Sequence, residues 1–321
     1  MECNNLKRLS IVTPVFNEED NVELFYNTVK RELDKIQLRY DYEIIFTDNC
    51  STDQTFEKLS SLAEKDERVK VFRFSRNFGH QKSLLTGCCL ASGDCAIQLD
   101  CDLQDPPEMI HDFLKEWEKG AEVVFGIRKA RDESLLYQWV RKSFYRVIDF
   151  LSEDRLPHDA GDFRLVDRKV LNQLRNLYDA SPYLRGSISS FGFKQVGIPY
   201  QRMKRIHGRG KYNLKSCLFL AMDGILNHSL VPLRLATLTG FIISSGLIVY
   251  FLCIASLNMF FDIELPRGFA TTTVLILLSI SLNALFLGVI GEYIGRMYRQ
   301  IKRAPMTIID KTLNADGHLD L

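Results

Sequence analysis

Short apolar runs alternate with helical patterns from residue 9 to about residue 128. The apolar runs, which have the length of strands, are LSIVTPVF (9–16), YEIIFTD (42–48), VKVFRFS (69–75), CAIQLD (95–100) and AEVVFGIR (121–128). Between them, apolar residues recur at helical spacing at Val22, Phe25, Val29, Leu33 and Ile36, and again at Phe56, Leu59 and Leu62. Continuous apolar strands separated by helices predict an α/β fold, with a mostly parallel sheet covered by helices on both faces. Such sheets bind ligands at the carboxyl ends of their strands.

Two long uncharged runs follow, at 235–261 and 268–291. A helix rises about 1.5 Å per residue and a hydrocarbon core is about 30 Å thick, so each run is long enough to cross a membrane. A buried hairpin in a large soluble protein is the alternative. Segments 133–152 and 212–231 carry apolar residues on one helical face. The second directly precedes a predicted span, which favours an interfacial helix, whereas the first could equally cover a core.

Charge is balanced overall but unevenly distributed. The chain has 41 basic and 40 acidic residues and a net charge of +1, which gives no argument for a nucleic-acid partner. Lys and Arg concentrate at 202–215 and 296–303, on the outer flanks of the two uncharged runs, whereas the link DIELPR between the runs is mostly acidic. The positive-inside rule therefore predicts a multi-pass protein of the inner (plasma) membrane, with both termini and the first 230 residues in the cytoplasm.

The stretch DCDLQDPPE (100–108) holds the most conspicuous candidate chemistry. If the strand continues through it, Asp100 and Asp102 lie on the same face. Two adjacent carboxylates repel each other, and a hard divalent cation such as Mg²⁺ or Mn²⁺, completed by substrate phosphates, relieves that repulsion. The alternative is an acidic loop in which Asp105 caps the next helix. A dinucleotide-binding oxidoreductase is disfavoured, because TPVFNEED follows the first strand without any glycine.

Several motifs, in a fixed order, carry a more specific resemblance. They are IVTPVFNEED, TDNCSTD and DCDLQDPPE at three strand ends, followed by SRNFGHQKSLLTG (75–87), GIRKAR (126–131), AGDFRLVDR (160–168), RMKRIHGRGKY (202–212) and GVIGEYIGRMY (288–298). The set resembles the inverting glycosyltransferases of family 2. These enzymes have the Rossmann-like GT-A fold and include the polyprenyl-phosphate glycosyltransferases, such as bactoprenol glucosyltransferases and dolichyl-phosphate mannose synthase. The resemblance covers nearly the whole chain.

The resemblance implies roles for individual residues. It implies nucleotide-sugar binding by Pro14, Asn17, Glu18, Asp48, Asp100 and Arg131, with Asp48 on the base. It implies a metal site of Asp100, Asp102 and Gln104, and catalytic roles for Asp102, Arg128 and Asp162, with Arg128 and Arg131 on phosphate. It implies lipid-phosphate binding by Arg202, Arg205 and Lys211.

Simpler interpretations stay open for several of these residues. Arg128 and Arg131 could be ordinary surface bases, Asp162 a structural carboxylate, and Asn17 and Asp48 caps of their own loops. The basic 202–215 stretch could attract anionic lipid headgroups in general. Two motifs also depart from the family pattern: DNCSTD stands where many relatives have D-D-G-S-x-D, and GRGKY stands where many have G-x-S-K-Y.

The expected function is transfer of a sugar from a nucleotide sugar, with UDP-glucose as first choice, to a polyprenyl phosphate such as undecaprenyl phosphate. GDP-mannose, a UDP-linked galactose or N-acetyl sugar, or a modified pentose are alternative donors, and a non-catalytic membrane scaffold or lipid translocation partner is the alternative outside catalysis. The resemblance also implies a homo-oligomer that contacts membrane lipids. The predicted domains are a catalytic domain (1–205), a basic and amphipathic interface segment (206–232), a two-helix transmembrane domain (233–299) and a cytoplasmic tail (300–321).

Overall fold

A computed structural model describes residues 6–128, 160–179, 182–203, 231–261, 268–302 and 304–315. These residues fall into two compact units. The sheet unit comprises the described residues from 6 to 203 together with 304–315, and the helix-pair unit comprises 231–261 and 268–302. The predicted amphipathic segments lie outside the described residues, apart from Val231.

The sheet unit alternates strands and helices as the apolar pattern predicts. Its elements are β1 Lys7–Val15, α1 Val22–Asp34, β2 Tyr40–Asp48, α2 Thr55–Lys65, β3 Val69–Phe74, α3 His80–Leu90, β4 Cys95–Gln98, a 3₁₀ turn Pro107–Met109, α4 Ile110–Glu118, β5 Val123–Arg128, β6 Ala160–Asp167, α5 Arg168–Arg175, α6 Leu184–Ser190, β7 Gln195–Tyr200 and β8 Ile309–Leu313. All five predicted strands are present, and so are the two helices predicted between the first three of them, as α1 and α2.

The strands form one eight-stranded sheet in the order β7-β5-β6-β4-β1-β2-β3-β8. The pairs β1–β2, β1–β4, β2–β3 and β5–β7 are parallel. Strand β6 runs antiparallel between β4 and β5, and β8 runs antiparallel to β3. The predicted α/β class with a mostly parallel sheet is confirmed.

Each face of the sheet packs against its own set of helices. Leu9 and Ile11 of β1 join one buried cluster with residues of α1, α2 and α4, whereas Val12 joins a second cluster with residues of α3, α5 and α6. This division follows from the alternation of side chains along a strand. Of the helical pattern that begins at Val22, the four members within α1 are fully buried, whereas Ile36 lies beyond the helix and is partly buried. Burying each large apolar side chain contributes about 1.5–3 kcal/mol.

The predicted tail at 300–321 needs correction. Ile309–Leu313 form β8, which covers the edge of β3 and so belongs to the same sheet as the N-terminal strands. Without β8, the backbone groups of β3 would form an unpaired edge. The charged residues Asp310 and Lys311 suit the exposed outer position that β8 occupies.

The helix-pair unit consists of α7, Val231–Phe261, and α8, Phe269–Ile301. By length and composition, each contains a candidate membrane span, at Leu233–Tyr250 and Leu275–Ile301, and neither span is buried within the protein. Large apolar side chains such as Phe241 and Leu287 are about two-thirds exposed. Exposed apolar surface of this extent marks a membrane or protein contact.

Candidate active site

One edge of the sheet gathers the predicted site residues that the structure describes. Parallel pairing brings the carboxyl ends of β1, β2 and β4 to this edge. Strand β6 is antiparallel to both β4 and β5, so β5 runs in the same direction as β4, and β5 and its parallel partner β7 also end at this edge. Asp162 lies near the start of the antiparallel β6. The β4–β6 register sets Gln98 opposite Arg164, so two residues further the chain brings Asp100 towards Asp162.

The loops after β1 and β2 are joined to each other. The Asn17 side-chain oxygen accepts a hydrogen bond from the Thr52 backbone amide at 2.8 Å, and the Asn17 backbone amide donates to the Ser51 hydroxyl at 3.0 Å. The amide of Glu18 donates to the Thr55 hydroxyl at 2.9 Å. Asn17 is therefore a loop cap, in agreement with the simpler interpretation, and it fixes the shape of the predicted nucleotide pocket.

Two further features complete these loops. Pro14 is buried near the end of β1, beyond the last residue that pairs with β4, so its missing N–H interrupts no bond to that strand. Cys50 has a φ of 61°, in the left-handed region. The backbone at this departure from the family motif thus keeps a conformation that glycine adopts more easily.

Asp48 uses its two oxygens differently. Its Oδ1 accepts hydrogen bonds from the amide and the hydroxyl of Ser51, at 3.0 and 2.5 Å. Its Oδ2 is buried without a hydrogen-bond partner among the described residues, and Arg73 Nε lies 3.6 Å away. Burial raises the pKa of this carboxyl. Asp48 therefore caps its loop with one oxygen and leaves the other without a hydrogen bond among the described residues.

The DCDLQD segment is a loop rather than the end of a strand. Strand β4 ends at Gln98, so the prediction that Asp100 and Asp102 share a strand face is wrong. The chain turns at Leu103, whose φ of 53° costs on the order of 1–3 kcal/mol for a residue with a side chain. Leu103 is buried, and the backbone amide of Gln104 donates to Asp102 Oδ1 at 3.2 Å, which holds the turn.

The charges in this loop suit a divalent cation. Burial, reinforced by the carboxylates of Asp162, Asp102 and Asp105, raises the pKa of Asp100 to about 6, although His80 opposes the shift. Among the described residues, no cluster of three or more His, Cys, Asp or Glu could hold a metal ion by itself. One or two carboxylates completed by substrate phosphates are the usual ligands of Mg²⁺ in nucleotide sites. Asp100 and Asp102 fit that donor set.

Asp162 lies in a charged cluster. Arg185 of α6 donates to Oδ1 through Nε at 2.8 Å and to Oδ2 through Nη2 at 3.0 Å. Gln81 Nε2 donates to Oδ2 at 3.4 Å, and His80 Nε2 lies 3.7 Å from Oδ2 and 3.9 Å from Asp100 Oδ1. Burial opposes ionisation, but His80 and Arg185 outweigh it and hold the pKa of Asp162 well below its usual range. Both Asp162 oxygens are therefore engaged, and the group is anionic.

Three residues of this cluster were not predicted as site residues. His80 and Gln81 belong to the SRNFGHQKSLLTG motif that contributed to the resemblance, so a signal for them was present. Arg185 lies in LRGSISS of α6, outside every quoted motif.

Arg128 and Arg202 meet at Asp105. Arg128 and Tyr200 are register partners on β5 and β7, and Arg128 Nε donates to the Tyr200 hydroxyl at 3.3 Å. Arg128 Nη2 lies 4.0 Å from Asp105 Oδ2, and Arg202 Nε lies 3.4 Å from Asp105 Oδ1. The Tyr200 hydroxyl donates to Asp105, and burial together with this carboxylate raises the pKa of Tyr200 to about 12. Arg128 is thus not an ordinary surface base.

The alternative role for Asp105, as a helix cap, is wrong. Pro106 stands at the cap position of the 3₁₀ turn, which has no side-chain cap, and Asp105 points its carboxylate at Tyr200 instead. The remaining predicted residues, Arg131, Arg205 and Lys211, lie outside the described residues.

Comparisons with known proteins identify the family of the chain. The family model described as glycosyl transferase family 2 matches residues 10–175. The uncharacterized glycosyltransferase YkcC of Bacillus subtilis (strain 168) is 39% identical over 309 residues, which are 96% of this chain and 95% of the relative. A prophage bactoprenol glucosyl transferase homolog of Escherichia coli (strain K12) is 34% identical over 305 residues, 95% of this chain and 99% of the relative.

Among solved structures, the mannosyltransferase PcManGT from Pyrobaculum calidifontis in complex with GDP-Man and Mn²⁺ is similar at a TM-score of 0.47 and 17% identity, over 88% of each chain. The family match covers more than half of the chain, and the relatives match nearly all of it. The chain therefore belongs to glycosyl transferase family 2 and is a glycosyltransferase that uses a nucleotide sugar.

Proposed function

We propose that this glycosyltransferase transfers a sugar, with glucose from UDP-glucose as first choice, to a polyprenyl phosphate such as undecaprenyl phosphate. One observation carries the proposal. The similarity to the bactoprenol glucosyl transferase homolog spans 95% of this chain and 99% of the relative, so it includes the helix-pair unit as well as the sheet unit. A lipid acceptor accounts for two candidate spans that a water-soluble acceptor would not require.

The donor side of the proposal rests on carboxylates and arginines at one sheet edge. Asp48 Oδ2 would accept a hydrogen bond from the base, beside the Pro14, Asn17 and Glu18 loop. Asp100 and Asp102, with Gln104 next to them, would hold Mg²⁺ or Mn²⁺. When bound, the cation supplies charge stabilisation for the departing nucleoside diphosphate.

The acceptor side rests on basic residues after β7. The residues that would bind the lipid phosphate are Arg202, Arg205 and Lys211. The second pKa of a phosphate monoester is about 6, so the attacking oxygen is largely ionised at neutral pH and needs little help from a base. Asp162, with both oxygens engaged, would orient substrate and not accept a proton. Arg128 and Arg131 would contribute positive charge at the leaving diphosphate.

These roles describe a single in-line displacement that inverts the anomeric centre and gives a β-linked product. We further propose that α7 and α8 span the plasma membrane, with the sheet unit and both termini in the cytoplasm. The basic flanks at 202–215 and 296–303 support this orientation.

The experiment is a sugar-transfer assay with the full-length protein purified in detergent. Radiolabelled UDP-glucose, UDP-galactose, UDP-N-acetyl sugars and GDP-mannose are each offered with undecaprenyl phosphate, with and without EDTA, and the organic phase is counted. We expect one donor to give an EDTA-sensitive lipid product with inverted configuration. Retained configuration would refute the displacement, and activity that survives both EDTA and Asp102→Ala would refute the metal role. No lipid product from any donor would leave the membrane scaffold as the better account.

A further inference from the structure

Asp105 is a buried carboxylate that the proposed chemistry leaves without a task. Its side chain is 1% exposed, yet it stands among three polar groups from two other parts of the chain. Arg128 ends β5, whereas Tyr200 ends β7 and Arg202 follows it. One carboxylate therefore contacts an arginine assigned to the donor diphosphate and an arginine assigned to the lipid phosphate.

The surrounding backbone is shaped for this arrangement. A Cβ added at Gly126 would lie 2.6 Å from Cε1 of Tyr200, and one added at Gly161 would lie 2.7 Å from Nη2 of Arg128. Glycine at these two positions leaves the space in which the Tyr200 ring and the Arg128 guanidinium lie. In addition, the Met203 amide donates to the Gln104 carbonyl at 2.8 Å, which joins the start of the basic 202–215 stretch to the loop that holds Asp100 and Asp102.

Electrostatics explains why a carboxylate is needed here. Two guanidinium groups held near each other repel, and one buried anion between them offsets that repulsion while leaving a net positive charge for phosphate. Asp105 Oδ2 has no hydrogen-bond partner among the described residues, so Asp105 depends on the nearby arginines for charge compensation. About 32% of the Arg128 side chain and 26% of the Arg202 side chain remain exposed, so both arginines keep access to a ligand.

We propose that Asp105 is a positioning residue that sets Arg128 and Arg202 together, so that the donor-phosphate and acceptor-phosphate arginines act as one unit. This inference rests on the proposed function, because it takes from it the phosphate that each arginine meets. Its consequence is energetic coupling: removing one arginine lets Asp105 pair more closely with the other, which changes the effect of removing the second.

The test is a mutant cycle on sugar transfer in the full-length protein. Arg128→Ala, Arg202→Ala and the double variant are compared in the wild-type background and again with Asp105→Asn. In the wild-type background, we expect the double variant to differ from the product of the single effects on kcat/KM by about fivefold or more. In the Asp105→Asn background, that factor should fall to about one. Independent effects in the wild-type background would overturn the proposal, even if Asp105→Asn does not fold.

A second measurement separates this inference from the proposed function. Hydrogen exchange of peptides covering 200–203 is followed in the wild type, in Asp105→Asn and in Asp53→Asn, a carboxylate change in the loop after β2. We expect faster exchange at 200–203 only in Asp105→Asn. Unchanged exchange there would overturn the positioning role. The wild type could make no lipid product while Asp105→Asn alone still exchanges faster at 200–203. That result would refute the proposed acceptor and leave the positioning role supported.

Discussion

Arg185 binds both carboxylate oxygens of Asp162, at 2.8 and 3.0 Å, and so fixes the orientation of the carboxylate plane. The pair joins the third residue of β6 to the second residue of α6, two elements that no sequence motif links. Bidentate arginine pairs of this kind add geometric specificity to charge. Asp162 is thus a fixed anion next to His80, which also lies 3.9 Å from Asp100.

Replacing Arg185 should therefore affect activity more than a simple loss of charge would. Arg185→Lys keeps the positive charge but cannot reproduce the planar two-point contact. We expect kcat to fall by about tenfold or more, and Arg185→Ala to lower the free energy of unfolding by about 2 kcal/mol, since it leaves a mostly buried carboxylate without its partner. Steady-state kinetics and thermal unfolding measure the two effects.

Lys169→Ala is the matched control for Arg185→Ala. Lys169 pairs with Glu122 at 3.2 Å near the surface, and 70% of its side chain is exposed. Such pairs contribute about 1 kcal/mol or less, so this variant should keep its stability and its activity. If Arg185→Lys matched the wild type in kcat, the fixed orientation of Asp162 would be irrelevant to the reaction.

The sequence predicted most of the fold because the apolar pattern reports burial directly. The run from Val22 to Leu33 and the strand around Ile11 are buried as their periodicity indicates. Strand β8 escaped prediction because Ile309–Leu313 is short, partly charged and far along the chain from β3, its partner in the sheet. Pairing between distant segments leaves no local periodic signal.

The site was predictable where a motif marks a strand end. Asp48 and Asp100 lie in motifs of this kind, whereas Asp162, near the start of β6, was predicted only from the family resemblance. The sheet topology explains why all three lie at one edge. The contacts of Asp105 and Arg185 were not predictable, because each depends on a partner that only the tertiary fold brings near. The strand argument for Asp100 failed at a specific point, the left-handed turn at Leu103 after β4 has ended.

Asp48→Asn should weaken nucleotide binding. The buried Oδ2 of Asp48 is an acceptor without a hydrogen-bond partner among the described residues, and an asparagine amide there would present a donor to the base N–H. We expect the Kd for UDP to rise by about tenfold to a hundredfold, the loss expected for a hydrogen bond to a charged group. Isothermal titration calorimetry with UDP in the presence of Mn²⁺ measures it.

Asp53→Asn is the control for Asp48→Asn in the same motif. Asp53 accepts hydrogen bonds from the Thr55 amide at 3.0 Å and the Glu19 amide at 3.3 Å, and so it stabilises loops without facing the base position assigned to Asp48. The affinity of the Asp53→Asn variant for UDP should differ from that of the wild type by less than about threefold. Equal losses in the two variants would mean that loop shape, and not the Asp48 oxygen, determines nucleotide binding.

Acid should destabilise the sheet unit partly through Asp66. Arg68 and Tyr26 bond its carboxylate, at 2.9 and 2.8 Å, and despite partial burial these contacts lower its pKa to about 2. The unfolded value is about 3.9, so between pH 4 and pH 2 the unfolded chain binds more protons and stability falls as pH falls. With solvent screening, we expect Asp66 to contribute about 1 kcal/mol above that window.

Denaturant titrations between pH 6 and pH 2.5 measure the Asp66 contribution. Asp66→Asn should be less stable than the wild type at pH 6, and the difference should shrink as the pH approaches 2. Asp41→Asn, which breaks the exposed pair with Arg8 at 2.6 Å, is the control and should change stability little. A constant difference between Asp66→Asn and the wild type across this range would contradict the assignment to Asp66 ionisation.

Gly161→Ala should reduce activity while leaving the fold intact. The added Cβ would approach Arg128 at 2.7 Å from Nη2 and 3.1 Å from Cζ, and the flexible end of that side chain can move aside. The move takes the guanidinium away from Tyr200 and Asp105, so we expect kcat/KM to fall by about tenfold or more with a stability change below about 1 kcal/mol.

Gly87→Ala is the opposite case, because its Cβ would lie 2.4 Å from Cγ1 of Val12 in the core. Val12 cannot move aside, so that variant should lose about 2 kcal/mol of stability. Thermal unfolding alongside kinetics distinguishes the two glycines, and a Gly161→Ala enzyme with full activity would show that the position of Arg128 does not limit the reaction.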